Sequence, residues 1–344
     1  MPGTYRYSFG PWNIHEGADP FGPPIRDSFS FEETLEVYRS LGFQGLQFHD
    51  DDVVPEIDRY SNAEVLQKAR EMKKRLDDLE LKAEFVAPRL WEHPATADGG
   101  YTSNSPNDRQ YAIDRSLQAV EIAREIGCKD IVLWLAREGT YIREAKDPAR
   151  ATGQIVDAIN QILGADKDIR VLVEPKPNEP MDLAYIPTMG HAIAIAYLTN
   201  APSRVGALME SAHSILAGLD PSDEMAHALY HGKLWSVHFN DQNGLKYDQD
   251  KAFGSVDLRR AFNQVRVLEH HNYGQNGEWV GLDVKVMRTQ RREDSFAHLK
   301  HSIETFELLV EKVRTLDENV VQQYVDARDY EGLDQFILRH LLGV

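Results

Sequence analysis

The sequence predicts a (β/α)8 (TIM) barrel with a short C-terminal helical tail, and three observations carry that expectation. Short apolar runs alternate with helix-length amphipathic segments along nearly the whole chain, the pattern of a parallel sheet wrapped by helices. Eight such pairs can be marked out, the number that closes this kind of barrel. The main alternative is an open doubly wound sheet. It should carry a glycine-rich phosphate loop after a strand, and neither GxGxxG nor a Walker pattern is present.

Taken in order, the first strand is placed at 6–12 and its helix at 31–41. The second strand, 44–49, precedes a helix at 62–79 in which Val65, Leu66, Ala69, Met72 and Leu76 share one face. The third pair is 82–87 with 106–127. The fourth strand, 130–136, is almost wholly apolar from Ile131 to Ala136, as befits a strand buried on both faces, and helix 147–163 follows it. Arg170-Val-Leu-Val173 opens the fifth strand, 170–175, and leads to helix 189–199. The last three pairs are 205–210 with 222–232, 234–240 with 256–270, and 278–284 with 294–314. Residues 1–315 thus form one barrel domain. The tail, 316–344, contains a further amphipathic helix at Leu333–Leu342, which packs either on the barrel or on a second subunit.

Bulk composition narrows the function. With 344 residues and 42% hydrophobic content the chain can build one large core. A formal charge of −17 argues against nucleic acid, whose phosphates require clustered Lys and Arg. A small polar substrate, or metal cations held by carboxylates, suits the charge balance. The single cysteine, Cys128, allows no intrachain disulfide and reads as a buried, inert thiol. The opening MPGTYRYSFGPW has neither a basic nor an apolar signal region, and no run approaches the ~18 apolar residues of a membrane span. The expectation is a cytoplasmic protein.

In a barrel of this kind the strand C-termini face the site. Those ends carry His49-Asp50-Asp51-Asp52, Glu174-Pro-Lys176, Glu210 with His213, His238 followed by Asp248 and Asp250, and Asp283. A charge at the end of a buried strand needs a partner. Four successive strands, the fifth to the eighth, deliver a carboxylate or imidazole at one level, and a divalent metal is the simplest common partner. The metal-ligand set is therefore Glu174, Glu210, His213, His238, Asp248, Asp250 and Asp283. Trp12, Trp91 and Trp134 fall at the ends of strands 1, 3 and 4. They serve either core packing or an apolar wall on which a sugar lies and from which water is excluded.

These residues sit in motifs that resemble xylose isomerase, in particular its shorter actinobacterial type. The matching segments, in family order, are Asp19-Pro-Phe-Gly22, Phe48-His-Asp-Asp-Asp52, Trp134 with Arg137-Glu-Gly139, and Glu174-Pro-Lys-Pro-Asn-Glu-Pro180. They continue with Pro187-Thr-Met-Gly-His-Ala192, Glu210-x-x-His213 and Gln242-Asn-Gly-Leu-Lys-Tyr-Asp-Gln-Asp250. The resemblance covers roughly 5–314. It implies a metal-dependent aldose–ketose isomerase acting on a free sugar such as xylose or glucose, with one or two divalent ions (Mg²⁺, Mn²⁺ or Co²⁺). Glu174, Glu210 and Asp283 would hold the first ion. Glu210, His213, Asp248 and Asp250 would hold the second. His49, oriented by Asp52, would assist ring opening, Lys176 would hydrogen-bond the carbonyl oxygen, and Asp250 would serve proton transfer between substrate oxygens while hydrogen moves between C1 and C2 as hydride. Trp12, Trp91 and Trp134 would form the aromatic wall. Phe21 would enter a neighbouring subunit's site, making the protein a homo-oligomer, dimer or tetramer.

Departures from the family pattern bear on that reading. His238 stands where the family has an aspartate ligand, which shifts preference toward Mn²⁺, Co²⁺ or Zn²⁺ or removes one site. Ala87-Pro88-Arg89 and Leu135-Ala136 replace smaller or hydroxylated residues, with Leu135 and Ala136 expected to add volume near the pocket. Arg89 is open to two readings, a partner for a substrate carboxylate or phosphate, or a surface salt bridge. The residues thus also accommodate a same-fold isomerase or epimerase with a different substrate, or a catalytically idle sugar- or metal-binding relic.

Overall fold

A computed structural model describes residues 5–245 and 247–344. Lys246, within one of the motifs above, and the first four residues lie outside the described part. Eight parallel strands close a barrel in sequential order: β1 (Tyr7–Phe9), β2 (Gly45–His49), β3 (Lys82–Ala87), β4 (Asp130–Trp134), β5 (Arg170–Glu174), β6 (Val205–Glu210), β7 (Leu234–Phe239) and β8 (Trp279–Leu282), with β8 pairing back onto β1. The expected fold class is the observed one.

The surrounding helices are α1 (Phe31–Ser40), α2 (Asn62–Asp78), α3 (Pro106–Glu125), α4 (Pro148–Ala165), α5 (Met189–Leu198), α6 (Pro221–Tyr230), α7 (Leu258–His270) and α8 (Ala297–Thr315). Their starts follow local chemistry. Ser30 and Ser61 form capping boxes with Glu33 and Glu64, and Asp147, Asp220 and Asp257 accept from the first-turn N–H groups of α4, α6 and α7. On α2 the buried residues are Val65, Ala69, Met72 and Leu76. Each of the larger ones contributes about 1.5–3 kcal/mol by leaving water.

Two layers of core result. One fills the space between strands and helices, and a smaller one, Phe85, Ala87, Val132, Leu172 and Leu208 with Trp12 and Trp235 packed on it, plugs the barrel interior. The tail differs from expectation in extent. It holds α9 (Glu318–Ala327) as well as α10 (Tyr330–Leu342), with α9 tied to α7 and α10 to both α7 and α8. Arg266 pairs with Glu318, Arg259 with Asp334, and Lys312 Nζ donates to the His340 carbonyl at 2.8 Å.

Boundary differences have physical causes. β1 stops at Phe9 because Pro11 has no N–H for the ladder. Trp12 therefore rides on a 3-10 turn, Pro11–Asn13, rather than on the strand. Leu135 and Ala136 lie beyond β4. Both are buried, Leu135 in the outer core, and neither lines the mouth cavity, so the volume they were expected to add near the pocket falls outside its lining. Cys128 is buried, its Sγ donating to the Glu84 carbonyl at 2.9 Å, and burial pushes the thiol well up, as an inert thiol requires. No helix among the described residues is long and apolar enough to cross a membrane.

Candidate metal centre

The C-terminal mouth of the barrel holds a cavity of about 300 Å³, at the small end of ligand sites. Every expected metal ligand lines it, as do Trp12, His49, Trp91, Trp134 and Lys176. Phe21 does not. It is 88% exposed, on a turn closed by reciprocal Asp19 and Gly22 backbone bonds and pinned by Arg288, which donates to the Pro23 carbonyl at 2.7 Å.

Possible ligand atoms gather around Glu210 in two groups, bridged by His213, whose Nδ1 lies 3.6 Å from Glu174 Oε1. In the first, His238 Nδ1 stands 3.8 Å from Glu174 Oε1, 3.8 Å from Glu210 Oε2 and 3.8 Å from Asp283 Oδ2. The ring nitrogen is buried without a hydrogen-bond partner among the described residues. One nitrogen equidistant from three carboxylates, none of them hydrogen-bonded to it, is what a shared cation between them would leave. The second group is Glu210, Asp248 and Asp250, with His213 Nε2 at 3.0 Å from Asp248 and 3.3 Å from Glu210.

The second group is already compensated. Lys176 Nζ lies 2.9 Å from Asp248 and 3.3 Å from Glu179, and Lys285 pairs with Asp250. Asp250 also holds a left-handed backbone, φ 43°, unusual for a residue with a Cβ. The Lys285 N–H donates to its carbonyl at 2.7 Å. Asn240 ties the two groups together. Its Nδ2 donates to Glu210 at 2.8 Å, Asp250 at 3.0 Å and the Asp283 carbonyl at 2.9 Å, while its Oδ1 accepts from Ala212 N at 2.7 Å. Sequence reasoning gave no role to Asn240 or Lys285. The signal for Asn240 was its two-residue spacing from His238, which turns both to the same face.

Electrostatics fits a cation. Six carboxylates face two lysines and one arginine in the described cavity, an excess of negative charge that burial makes costly. Burial pushes Glu174 up to about 8 and raises Glu210 and Asp250 well above the carboxylate range. Burial also raises Asp248, but Lys176 and His213 outweigh it and hold that group low. A carboxylate whose folded pKa is raised binds more protons when folded, so between its ordinary value and about 8 metal-free stability falls as pH rises. The expected result is a metal-free Tm that declines from pH 5 to pH 8.5 and a Mn²⁺-induced Tm gain that grows over the same range. Differential scanning calorimetry with and without Mn²⁺ reads both. A Mn²⁺ increment independent of pH would contradict it.

The aromatic wall is continuous. Ring centroids run from Trp12 to His49 at 4.3 Å, His49 to Trp91 at 5.1 Å and Trp91 to Trp134 at 4.5 Å. Lys176 Nζ sits 5.0 Å over Trp134. Trp12 also donates from Nε1 to Asp283 at 3.0 Å, so it orients a candidate ligand as well as forming wall.

His49 is more constrained than its motif suggested. Its Nδ1 lies 3.0 Å from Asp52 and 2.7 Å from Arg89 Nη2. A guanidinium only donates and a carboxylate only accepts, so Nδ1 can satisfy one of them at a time. Arg89 is neither at the surface nor free for a substrate anion. Its Nε bonds Asp51 at 2.7 Å and its Nη1 bonds Glu92 at 3.1 Å. Asp50, fully buried, is clamped by Arg115 at 2.8 and 3.0 Å, so the Asp50–Asp52 run is largely an ion-pair framework behind His49.

A family model described as a xylose isomerase-like TIM barrel matches residues 35–301. The chain belongs to that family. Among solved structures, the IOLI protein with a bound zinc atom superposes with a TM-score of 0.64 and 14% identity over 90% of this chain and 100% of the other. An L-ribulose 3-epimerase gives 0.63 and 16%, covering 90% and 96%. The 3-keto-D-glucoside 4-epimerase YcjR of E. coli gives 0.60 and 17%, covering 88% and 99%. At these identities the likeness is one of fold. Within this xylose isomerase-like barrel, the mouth is where family members vary their chemistry on a common scaffold.

Proposed function

We propose that the chain is a metal-dependent isomerase of a free, uncharged sugar, interconverting an aldose and its ketose. The observation that carries this reading is the pair of carboxylate–histidine groups sharing Glu210, with Lys176 beside them on the same cavity wall. A divalent cation held there supplies Lewis-acid polarisation of a carbonyl. Lys176, fixed by Asp248 and Glu179, is the donor for the carbonyl oxygen. Asp250, fixed by Lys285 and Asn240, is the group for proton transfer between substrate oxygens. The tryptophan wall keeps water from the open-chain sugar. The substrate is uncharged because Arg89, Lys176 and Lys285, the cavity's described cations, are each committed to carboxylates.

One observation favours a second reading, epimerisation at a carbon next to a carbonyl. Glu174, Glu210, His238 and Asp283 carry no lysine partner among the described residues, whereas Asp248 and Asp250 each do, so a single cation would go to the first group. Two of the solved structures of like fold are named as sugar epimerases. Incubation of Mn²⁺-loaded protein with a panel of pentoses and hexoses in D₂O, followed by ¹H NMR, separates the readings. Aldose–ketose conversion with the hydrogen retained supports the first. Deuterium at an inverted carbon supports the second. No turnover of any sugar with Mn²⁺, Mg²⁺, Co²⁺ or Zn²⁺ rejects both.

Two further results are expected. His238→Asp replaces a nitrogen ligand by an anionic oxygen and should raise Mg²⁺ affinity relative to Mn²⁺ on the order of tenfold, measured by calorimetry. An unchanged preference would mean that His238 does not touch metal. Phe21, exposed on a pinned turn, completes the site of a second copy, so Phe21→Ala should raise KM several-fold and weaken self-association in sedimentation velocity without lowering Tm. A monomeric, fully active wild type would reject that role.

A further inference from the structure

Below the metal centre the barrel interior carries polar groups that neither reading uses. Glu84, on β3, is buried, and its Oε1 accepts from Ser236 Oγ across the barrel at 2.5 Å. Ser236 and His238 are two residues apart on β7, so their side chains share the interior face one pleat apart. Glu84 Oε2, Gln47 Oε1 and His238 Nε2 are all buried without a hydrogen-bond partner among the described residues, although the Ser8 hydroxyl, which accepts from Gln47 Nε2 at 3.1 Å, also stands beside the Glu84 carboxyl. Gly281 is the reason they can approach each other. A Cβ there would meet Gln47 Nε2 at 2.5 Å and His238 Cδ2 at 2.9 Å, so both side chains border the small space that this glycine leaves open.

We propose that Glu84 is a positioning residue for His238, accepting the proton of its Nε2 through one buried water that also donates to Gln47 Oε1, and so presenting an unprotonated Nδ1 to the metal. His238 Nε2 makes no direct bond to Glu84 among the described residues, and one water, which needs two to four polar partners, would find three here. A histidine that ligates metal by one nitrogen is oriented by what its other N–H meets. Solvent has a route to the position, because Glu84 and Ser236 also line a cavity of about 770 Å³ that opens at the opposite, N-terminal mouth of the barrel. The two groups act on each other's ionisation. Burial raises Glu84 and lowers His238, and each opposes the other's shift. The inference rests on His238 being a metal ligand, as the proposed function has it.

The test uses Glu84→Met, Glu84→Gln and His238→Gln. Methionine removes the acceptor with similar volume, a replacement buried cores tolerate, and glutamine retains an acceptor oxygen. The readouts are Mn²⁺ affinity by calorimetry and the ¹⁵N shifts of His238 in metal-free, histidine-labelled protein, assigned with His238→Gln. Glu84→Met should weaken Mn²⁺ binding about 10–100-fold and move the His238 proton toward Nδ1, while Glu84→Gln stays near wild type in both. Wild-type affinity and tautomer in Glu84→Met overturn the inference while ligation by His238 stands, provided that His238→Gln loses metal. Unchanged Mn²⁺ affinity in His238→Gln overturns the ligand reading and the inference with it.

Discussion

Glu210→Gln is expected to abolish metal retention and to lower kcat/KM by at least about 10³-fold, ~4 kcal/mol of transition-state stabilisation. Glu210 is the one carboxylate common to both groups of ligand atoms. Its Oε2 faces His238 Nδ1, and its Oε1 lies 3.3 Å from His213 and accepts from Asn240. Glutamine keeps the shape and removes the charge, so the loss would be electrostatic. Metal-free stability should hold or rise, because one member of a mutually repelling buried cluster is gone. Metal content by inductively coupled plasma mass spectrometry, Tm and steady-state rates are the measurements. A variant that retains stoichiometric Mn²⁺ would show that the cation is held elsewhere.

The second large effect is expected from Lys176→Met. Lys176 is buried between Asp248 and Glu179. Its loss leaves Asp248 with His213 as its one ion-pair partner among the described residues. Breaking one side of a buried ion pair costs about 3–5 kcal/mol, so the metal-free protein should melt markedly lower. Bound metal should restore much of that loss, because the cation replaces the missing charge beside Asp248. Catalysis should not recover with it: loss of a placed carbonyl donor costs about 10²–10³-fold in kcat. If Mn²⁺-loaded Lys176→Met turned over sugar at the wild-type rate, the lysine would be a counter-ion for the empty site and no more.

These expectations rest on residues of unequal legibility. Glu174, Glu210, His238 and Asp283 were readable because each closes a buried apolar strand, where an unpartnered charge stands out. Asp248 and Asp250 lie in the loop after β7, where their place beyond a strand end marked them and the motif supported it. Arg89 could not be resolved from sequence, since its partners Asp51 and Asp52 come from the previous strand and Glu92 from its own loop. Asn240, Lys285 and Glu84 went without a role for a related reason. Polar residues near strands are common, and their meaning depends on which atoms on other strands they meet.

By itself the sequence determined the eight-fold alternation, the closed parallel barrel and the set of carboxylates and histidines at its mouth, because strand and helix periodicities and strand-end polarity are local properties of the chain. The tertiary structure alone decided how those side chains divide. It set His238 equidistant from three carboxylates, gave Asp248 and Asp250 to Lys176 and Lys285, locked Arg89 onto His49, and left Phe21 outside its own pocket. Each of these depends on distances between atoms that are remote in sequence, which only closure of the barrel brings within a few ångströms of one another.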